Sequence, residues 1–302
     1  MKLFYTLGEL TSDIAESLGT GVYKMTSRIF RAAQNANSSR VVLLFLVQYF
    51  GILFQCATLL ISFLVKGFFS VIGDVFTTIW NLLLSVVRLD TRLLARTFML
   101  PFHSLNGHLL VFSGYVVIVI QKLFFIQKSD RSFTEKETDL LKDLFDDSLA
   151  MHNIRLVAGR SGIFHVSGRP FVLGNFIFMK DVSQHRGLSV LVHECVHVWQ
   201  YQQYGARYAS EALYAQWSLR NAYDWSTEKE KSDNWRYWNR EAQAAFIEES
   251  WGTIRRTHEQ NPISGDNCVK TFLRESTETS PHLLFMKEVL RDVRSRSHNR
   301  FV

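Results

Sequence analysis

Hydrophobic and polar positions follow two different rhythms along this chain. From Val41 to Val65 there are 25 residues without a charge, and a second apolar run, Phe68 to Val87, is interrupted only by Asp74. About 20 apolar residues suffice for a helix to cross a bilayer. The two runs therefore predict two spans joined by a tight turn at Lys66-Gly67, or one span followed by an interfacial helix. A third run, Leu109 to Ile126, contains Gln121 and Lys122 and either spans or lies in the interface. Asp74 is costly at membrane depth unless it faces a partner or sits near the interface. Ahead of these runs, Leu10, Ile14, Leu18 and Val22 recur at helical spacing and predict an amphipathic segment. The rival reading of all three runs is the buried helices of a large soluble core.

From Ser132 the rhythm changes. Leu140, Leu141, Leu144, Phe145 and Leu149 mark an amphipathic helix within Ser132 to Leu149. Ile154–Ala158, Ile163–Val166 and Phe171–Met179 read as short strands separated by glycine-containing turns. Helical patterns dominate from Leu188 onward. The expected organisation is a helical, membrane-associated region over 1–131 and a small α+β domain over 132–302. With 302 residues, two domains are the ordinary outcome.

Charge follows the same division. Residues 1–131 hold 12 Lys/Arg and 6 Asp/Glu, whereas residues 132–302 hold 22 of each. The basic excess thus accompanies the apolar runs, as anchoring charges at a membrane do. No Lys/Arg block is dense enough to predict nucleic acid as a partner; membrane lipid is the expected one. Positive flanks before the first run, between the second and third, and after the third fit two spans plus an interfacial segment. That topology leaves the C-terminal domain in the cytoplasm, and three spans would put it outside. The first apolar run starts too late for an ordinary cleavable signal peptide. Cys56, Cys195 and Cys268 have no disulfide-like spacing and weakly favour a reducing compartment.

The chemistry concentrates in one apolar helical stretch, Leu188 to Tyr201, which contains His193-Glu194-Cys195-Val196-His197. This is an HExxH pattern. Residues i and i+4 share a helix face, so the two imidazoles can hold one metal ion. Zinc suits such nitrogen ligands and keeps a position open for water. Glu194, next to the first ligand, is the expected catalytic base. Structural histidines satisfied by hydrogen bonds are the plain alternative, but two His and a Glu inside an apolar helix call for a reason. A third protein ligand must come from downstream, where Glu211, Asp224, Glu228, Glu230, Glu241, Glu248 and Glu249 are candidates. Glu241 is favoured among them because it opens an amphipathic helix whose small residues permit close packing on the motif helix.

Residues 154–250 also resemble a bacterial group of HExxH proteins with a GNTIY…HExxHVWQ…G…EQQA pattern. The matching segments are Gly168-Arg-Pro-Phe-Val-Leu-Gly174-Asn175-Phe-Ile-Phe, the His-Glu-Cys-Val-His-Val-Trp-Gln motif, Tyr-Gly-Ala-Arg-Tyr, and Asn239-Arg-Glu241-Ala-Gln-Ala. Ala242 stands where that group has Gln. The group is similar to gluzincins, metallopeptidases whose third ligand is a glutamate on a later helix. The resemblance implies a zincin-like domain, His193, His197 and Glu241 as Zn2+ ligands and Glu194 as base; it does not extend to the apolar part, for which a bacterial inner membrane is the expected setting.

Aromatic residues crowd the stretch after the motif, as cleft lining or as core. Tyr208, then Tyr204, is the preferred oxyanion donor, and Arg207 is a candidate for holding a substrate carboxylate. The Phe171–Met179 strand, if at a sheet edge, would suit an extended peptide. The tail from Leu283 to Val302 is a basic amphipathic helix, read as solvated or touching an anionic membrane. The leading expectation is a membrane-anchored zinc metallopeptidase acting on a peptide or protein. Rivals are a zinc hydrolase for a lipid-like substrate, a membrane-inserting effector or toxin, and a scaffold with a closed structural metal site.

Overall fold

The computed structural model describes residues 2–35, 41–88, 91–126, 130–158, 169–179, 185–260, 267–275 and 280–295. They form two compact units, one up to residue 126 and one from 130 onward.

The first unit consists of three long helices, α1 (Lys2–Asn35), α2 (Val41–Arg88) and α3 (Thr91–Leu123). The two runs expected to be separate spans are one continuous helix of 48 residues, about 72 Å long at 1.5 Å per residue. Nothing at Lys66-Gly67 stops it. A lone helical glycine costs only about 1 kcal/mol, and Gly67 lies so close to His108 of α3 that a Cβ there would stand 3.2 Å from the imidazole. Within α2 and α3, Val42–Arg88 and Thr97–Leu123 are long and apolar enough to cross a membrane.

The packing of α1 on α2 does not use the predicted apolar stripe. Leu10, Ile14 and Leu18 are exposed. The buried face instead carries Gly8, Ser12, Gly19 and Thr26. A Cβ at Gly19 would collide with Thr58, and one at Gly51 with Thr26. Ser62 donates to Glu16 Oε1 at 2.9 Å, so its contact with Ser12 Oγ at 2.6 Å uses the Ser12 proton. Small residues at the interface with hydroxyls bridging it are the packing mode of helices in lipid. Asp74, the one charge in the second apolar run, has a partner: Ser104 of α3 donates to its Oδ2 at 2.5 Å.

The second unit surrounds a four-stranded sheet with helices. Its strands are β1 (Asp130–Arg131), β2 (Arg155–Ala158), β3 (Phe171–Leu173) and β4 (Phe176–Met179), in the order β1-β2-β4-β3. β2 and β4 run parallel, and the other two pairings are antiparallel. The expected single strand over Phe171–Met179 is a hairpin. Gly174, at the first loop position with φ 59°, turns the chain as a type II′ turn requires. Sequence pattern missed β1, which is only two residues long. The expected strand Ile163–Val166 lies outside the described residues.

Helix α4 (Glu135–Phe145) begins at Thr134, whose side chain and that of Glu137 form a reciprocal capping box. Helices α5 (His185–Tyr204), α6 (Arg207–Ser218), α7 (Trp225–Lys231) and α8 (Arg240–Gln260) follow, then α9 (Cys268–Glu275) and α10 (Pro281–Ser295). Leu191, Val192, Cys195, Val196, Val198 and Trp199 of α5 are all fully buried. Gly205 ends that helix with φ 70°, its N–H donating to Tyr201 O. Ala242 and Ala244 bring α8 against α5 in the same core. The terminal helix packs its apolar stripe inward over its described length, with Leu284, Glu288 and Arg291 left exposed. Met286, Val289, Leu290 and Val293 of α10 are buried in that core.

Candidate metal centre

His193 and His197 stand one turn apart on α5, with ring centroids 4.9 Å apart. Glu241 reaches them from the first turn of α8. Its Oε2 lies 3.5 Å from Nε2 of His193 and 3.3 Å from Nε2 of His197. One ligand atom from each of the three lies within 4.8 Å of the others, and among the described residues this is the one group so placed. The three residues can therefore hold a metal ion.

The other end of each side chain is held. Nδ1 of His193 meets Glu248 Oε2 at 3.0 Å, and Nδ1 of His197 meets Gln200 Oε1 at 2.9 Å. Both partners are acceptors, so each Nδ1 carries a proton, and each ring, once its other nitrogen is deprotonated, can present an Nε2 lone pair to the centre. Ser189 donates to Glu248. Gln200 is fixed in turn by donating to Arg240 O at 2.9 Å and Gln243 Oε1 at 3.0 Å. Gln216 of α6 donates to Glu241 Oε1 at 2.7 Å. That bond leaves Oε2 as the ligand atom, and Oε2 is buried without a hydrogen-bond partner. An orphaned carboxylate oxygen facing two imidazole Nε2 atoms fits a cation.

Electrostatics point the same way. Burial disfavours the charged form of His193, but the carboxylates of Glu241 and Glu248 outweigh it and push its pKa up to about 10. Burial likewise works against ionised Glu241, yet His197 and His193 hold its carboxyl well below the usual range. In the absence of a cation the site thus gathers protons around its carboxylates. A divalent ion can take their place. Glu194, only 6% exposed, has its pKa raised chiefly by burial, with His197 and His193 opposing. A raised carboxyl pKa suits proton transfer near neutrality.

The other carboxylates considered for the third position are engaged elsewhere. Glu211 pairs with Arg240, and Asp224 caps α7. Glu228 binds Lys231 and the Asn239 N–H, and Glu249 accepts from Trp225 Nε1. Glu230 is exposed. Glu248 is at the centre but behind His193. Tyr204 lies beneath the guanidinium of Arg240, 4.0 Å from its ring centroid, and beneath that of Arg207. Tyr208 lies beside His197, its hydroxyl donating to Val172 O. Cys195 is buried in the core.

Pattern reading missed Gln200 and Gln216, and it left Tyr223 among the crowded aromatics behind Tyr208 and Tyr204. Gln200 sits three residues after His197 on the same helix and had a readable signal. Gln216 arrives from another element and had none. No protein-family model, curated protein or solved structure matches the chain. The geometry of the site therefore carries the functional argument.

Proposed function

We propose that this chain is a zinc-dependent hydrolase of gluzincin type, held at a membrane by its N-terminal helices and acting on peptide bonds. The observation that carries the reading is Glu241 Oε2, a buried and orphaned carboxylate oxygen facing the Nε2 atoms of His193 and His197. Two imidazoles and one carboxylate are the donor set of open, catalytic zinc sites, whereas structural sites close with four protein ligands. Zinc bound there would polarise a carbonyl and bring a water molecule's pKa towards neutrality.

The chain's own groups have defined parts in such a reaction. His193, His197 and Glu241 hold the ion, while Glu248, Gln200 and Gln216 orient them. Glu194 takes the proton of the attacking water and passes it to the departing amine. Among the described residues β3 is the outer strand of the sheet, and an outer strand is where an extended peptide can align, which supports a peptide substrate. Two apolar helices and the small-residue packing of α1 on α2 support the membrane setting.

The deciding experiment is metal analysis of the full chain in detergent beside His193→Ala and Glu241→Ala. One zinc per chain, lost in both variants, is expected; zinc retained by both would refute the site. A Glu194→Gln variant tests catalysis. It should keep zinc and lose peptide hydrolysis by at least about a hundredfold. A biological effect that survives Glu194→Gln would instead favour a membrane-inserting effector.

A further inference from the structure

Each histidine of the centre has a tyrosine beside it, and the two hydroxyls are used differently. The Tyr208 ring lies 6.4 Å from that of His197. Tyr208 is 2% exposed, and its hydroxyl donates to Val172 O at 3.0 Å. A phenol has a single proton, so that of Tyr208 is committed to β3. The Tyr223 ring lies 5.9 Å from that of His193, tilted by 37°, and Tyr223 is 38% exposed. Burial and the Glu241 carboxylate push its pKa up, and the Arg169 guanidinium opposes them by its charge and as a hydrogen-bond partner of the hydroxyl. A guanidinium only donates, so the Tyr223 oxygen is the acceptor in that bond. The phenol's own proton is left for a second partner. The backbone is held as well: Tyr223 N donates to Asn221 Oδ1 at 3.2 Å, and its carbonyl accepts from Trp225 N at 3.0 Å.

We infer that Tyr223, rather than Tyr208, donates a hydrogen bond to the oxygen of a ligand held at the His193–His197–Glu241 centre, with Arg169 as its positioning residue. The inference rests on the metal-centre reading above and names the ligand class: a carbonyl compound whose oxygen gains negative charge. The need for such a donor follows from the surroundings. Glu194, Glu241 and Glu248 crowd the centre with carboxylates that oppose a developing oxyanion. A neutral donor fixed in place and backed by a guanidinium offsets that opposition without adding another acceptor. A side chain already bonded to a strand carbonyl cannot do so without breaking that bond.

The test uses the full chain in detergent with cobalt(II) in place of zinc, read by its visible spectrum, and acetohydroxamate as the probe. Wild type should take up one cobalt, with a spectrum that shifts as acetohydroxamate binds. Tyr223→Phe keeps the ring and removes the donor. It should take up cobalt normally and bind acetohydroxamate at least about tenfold more weakly, the scale of a lost hydrogen bond to a charged group. Arg169→Gln should show part of that loss with cobalt uptake unchanged, which a purely structural role would not produce. Tyr208→Phe should stay within about twofold of wild type. Wild-type acetohydroxamate affinity in Tyr223→Phe, or the large loss in Tyr208→Phe, would overturn the assignment. A wild-type chain that takes up no cobalt would overturn the metal centre itself, and this inference with it.

Discussion

Glu248 accepts from Nδ1 of His193 at 3.0 Å while accepting from Ser189 through its other oxygen. Glu248 lies seven residues beyond Glu241, so α8 supplies both the carboxylate that faces the ion position and the one that stands behind its first histidine. The two functions are two turns apart on one helix. The geometry of the centre therefore depends on the alignment of α8 against α5 and little on any loop.

Replacing Glu248 by Gln should weaken metal binding without abolishing it. Outer carboxylates that fix a ligand histidine are worth about 10- to 100-fold in affinity. Competition against a chromophoric chelator measures this directly. Unchanged affinity would mean that the hydrogen bond does not orient His193.

The Glu211–Arg240 pair should matter for stability and not for the metal. Arg240 is 8% exposed, pairs with Glu211 and stacks on Tyr204. Glu211→Ala leaves that guanidinium buried without its carboxylate, at a cost of about 3 kcal/mol. Chemical denaturation should register the loss while zinc stoichiometry stays at wild type. Loss of zinc in this variant at a temperature where it is folded would reopen Glu211 as a ligand.

Removal of the ion should make stability depend on pH. In the metal-free chain the His193 pKa is pushed up to about 10, above the ordinary 6.5. A group whose pKa is raised on folding contributes stability in full below its unfolded value and loses it as pH rises through the folded one. Chelator-treated protein should therefore lose thermal stability between about pH 6.5 and 10. His193→Asn should lack that component of the slope. The same protons must leave when metal binds, so apparent affinity should rise with pH over this window. A chelated wild type with the same pH slope as His193→Asn would contradict the charge balance assigned to the centre.

Gly19→Leu should disrupt the first unit while leaving the second intact. Its added side chain meets Thr58 where α1 and α2 are in close contact, and overpacking of that kind costs about 1–3 kcal/mol. Thermal unfolding in detergent should shift for the helical hairpin, with metal uptake unaffected. A Leu18→Ala control, at an exposed neighbour, should change little.

How much of this was legible beforehand differs by element. His193, Glu194 and His197 stand on one helix, and a five-residue pattern brings their chemistry together whatever surrounds it. Two imidazoles at i and i+4 share a face by helical geometry alone. Sequence could narrow the third ligand to seven carboxylates and favour Glu241, but it could not separate that residue from Glu211 or Glu248. All three lie close to this part of the fold, one as candidate ligand, one in a salt bridge and one behind a histidine. Their roles depend on which way each side chain points from its helix.

The apolar runs show the same boundary between the two kinds of information. Chain composition by itself determined that residues 41–88 are helical and apolar and that a metal-type motif lies in a separate, charge-balanced segment, because both properties are local sums over neighbouring residues. Only tertiary structure decided that those runs are one helix, that α1 buries Gly8, Ser12, Gly19 and Thr26, that β3 is the outer strand of the sheet among the described residues, and that Gln216 and Tyr223 border the centre. Those outcomes depend on close approach between residues far apart in the chain, and no local pattern encodes the distance between them.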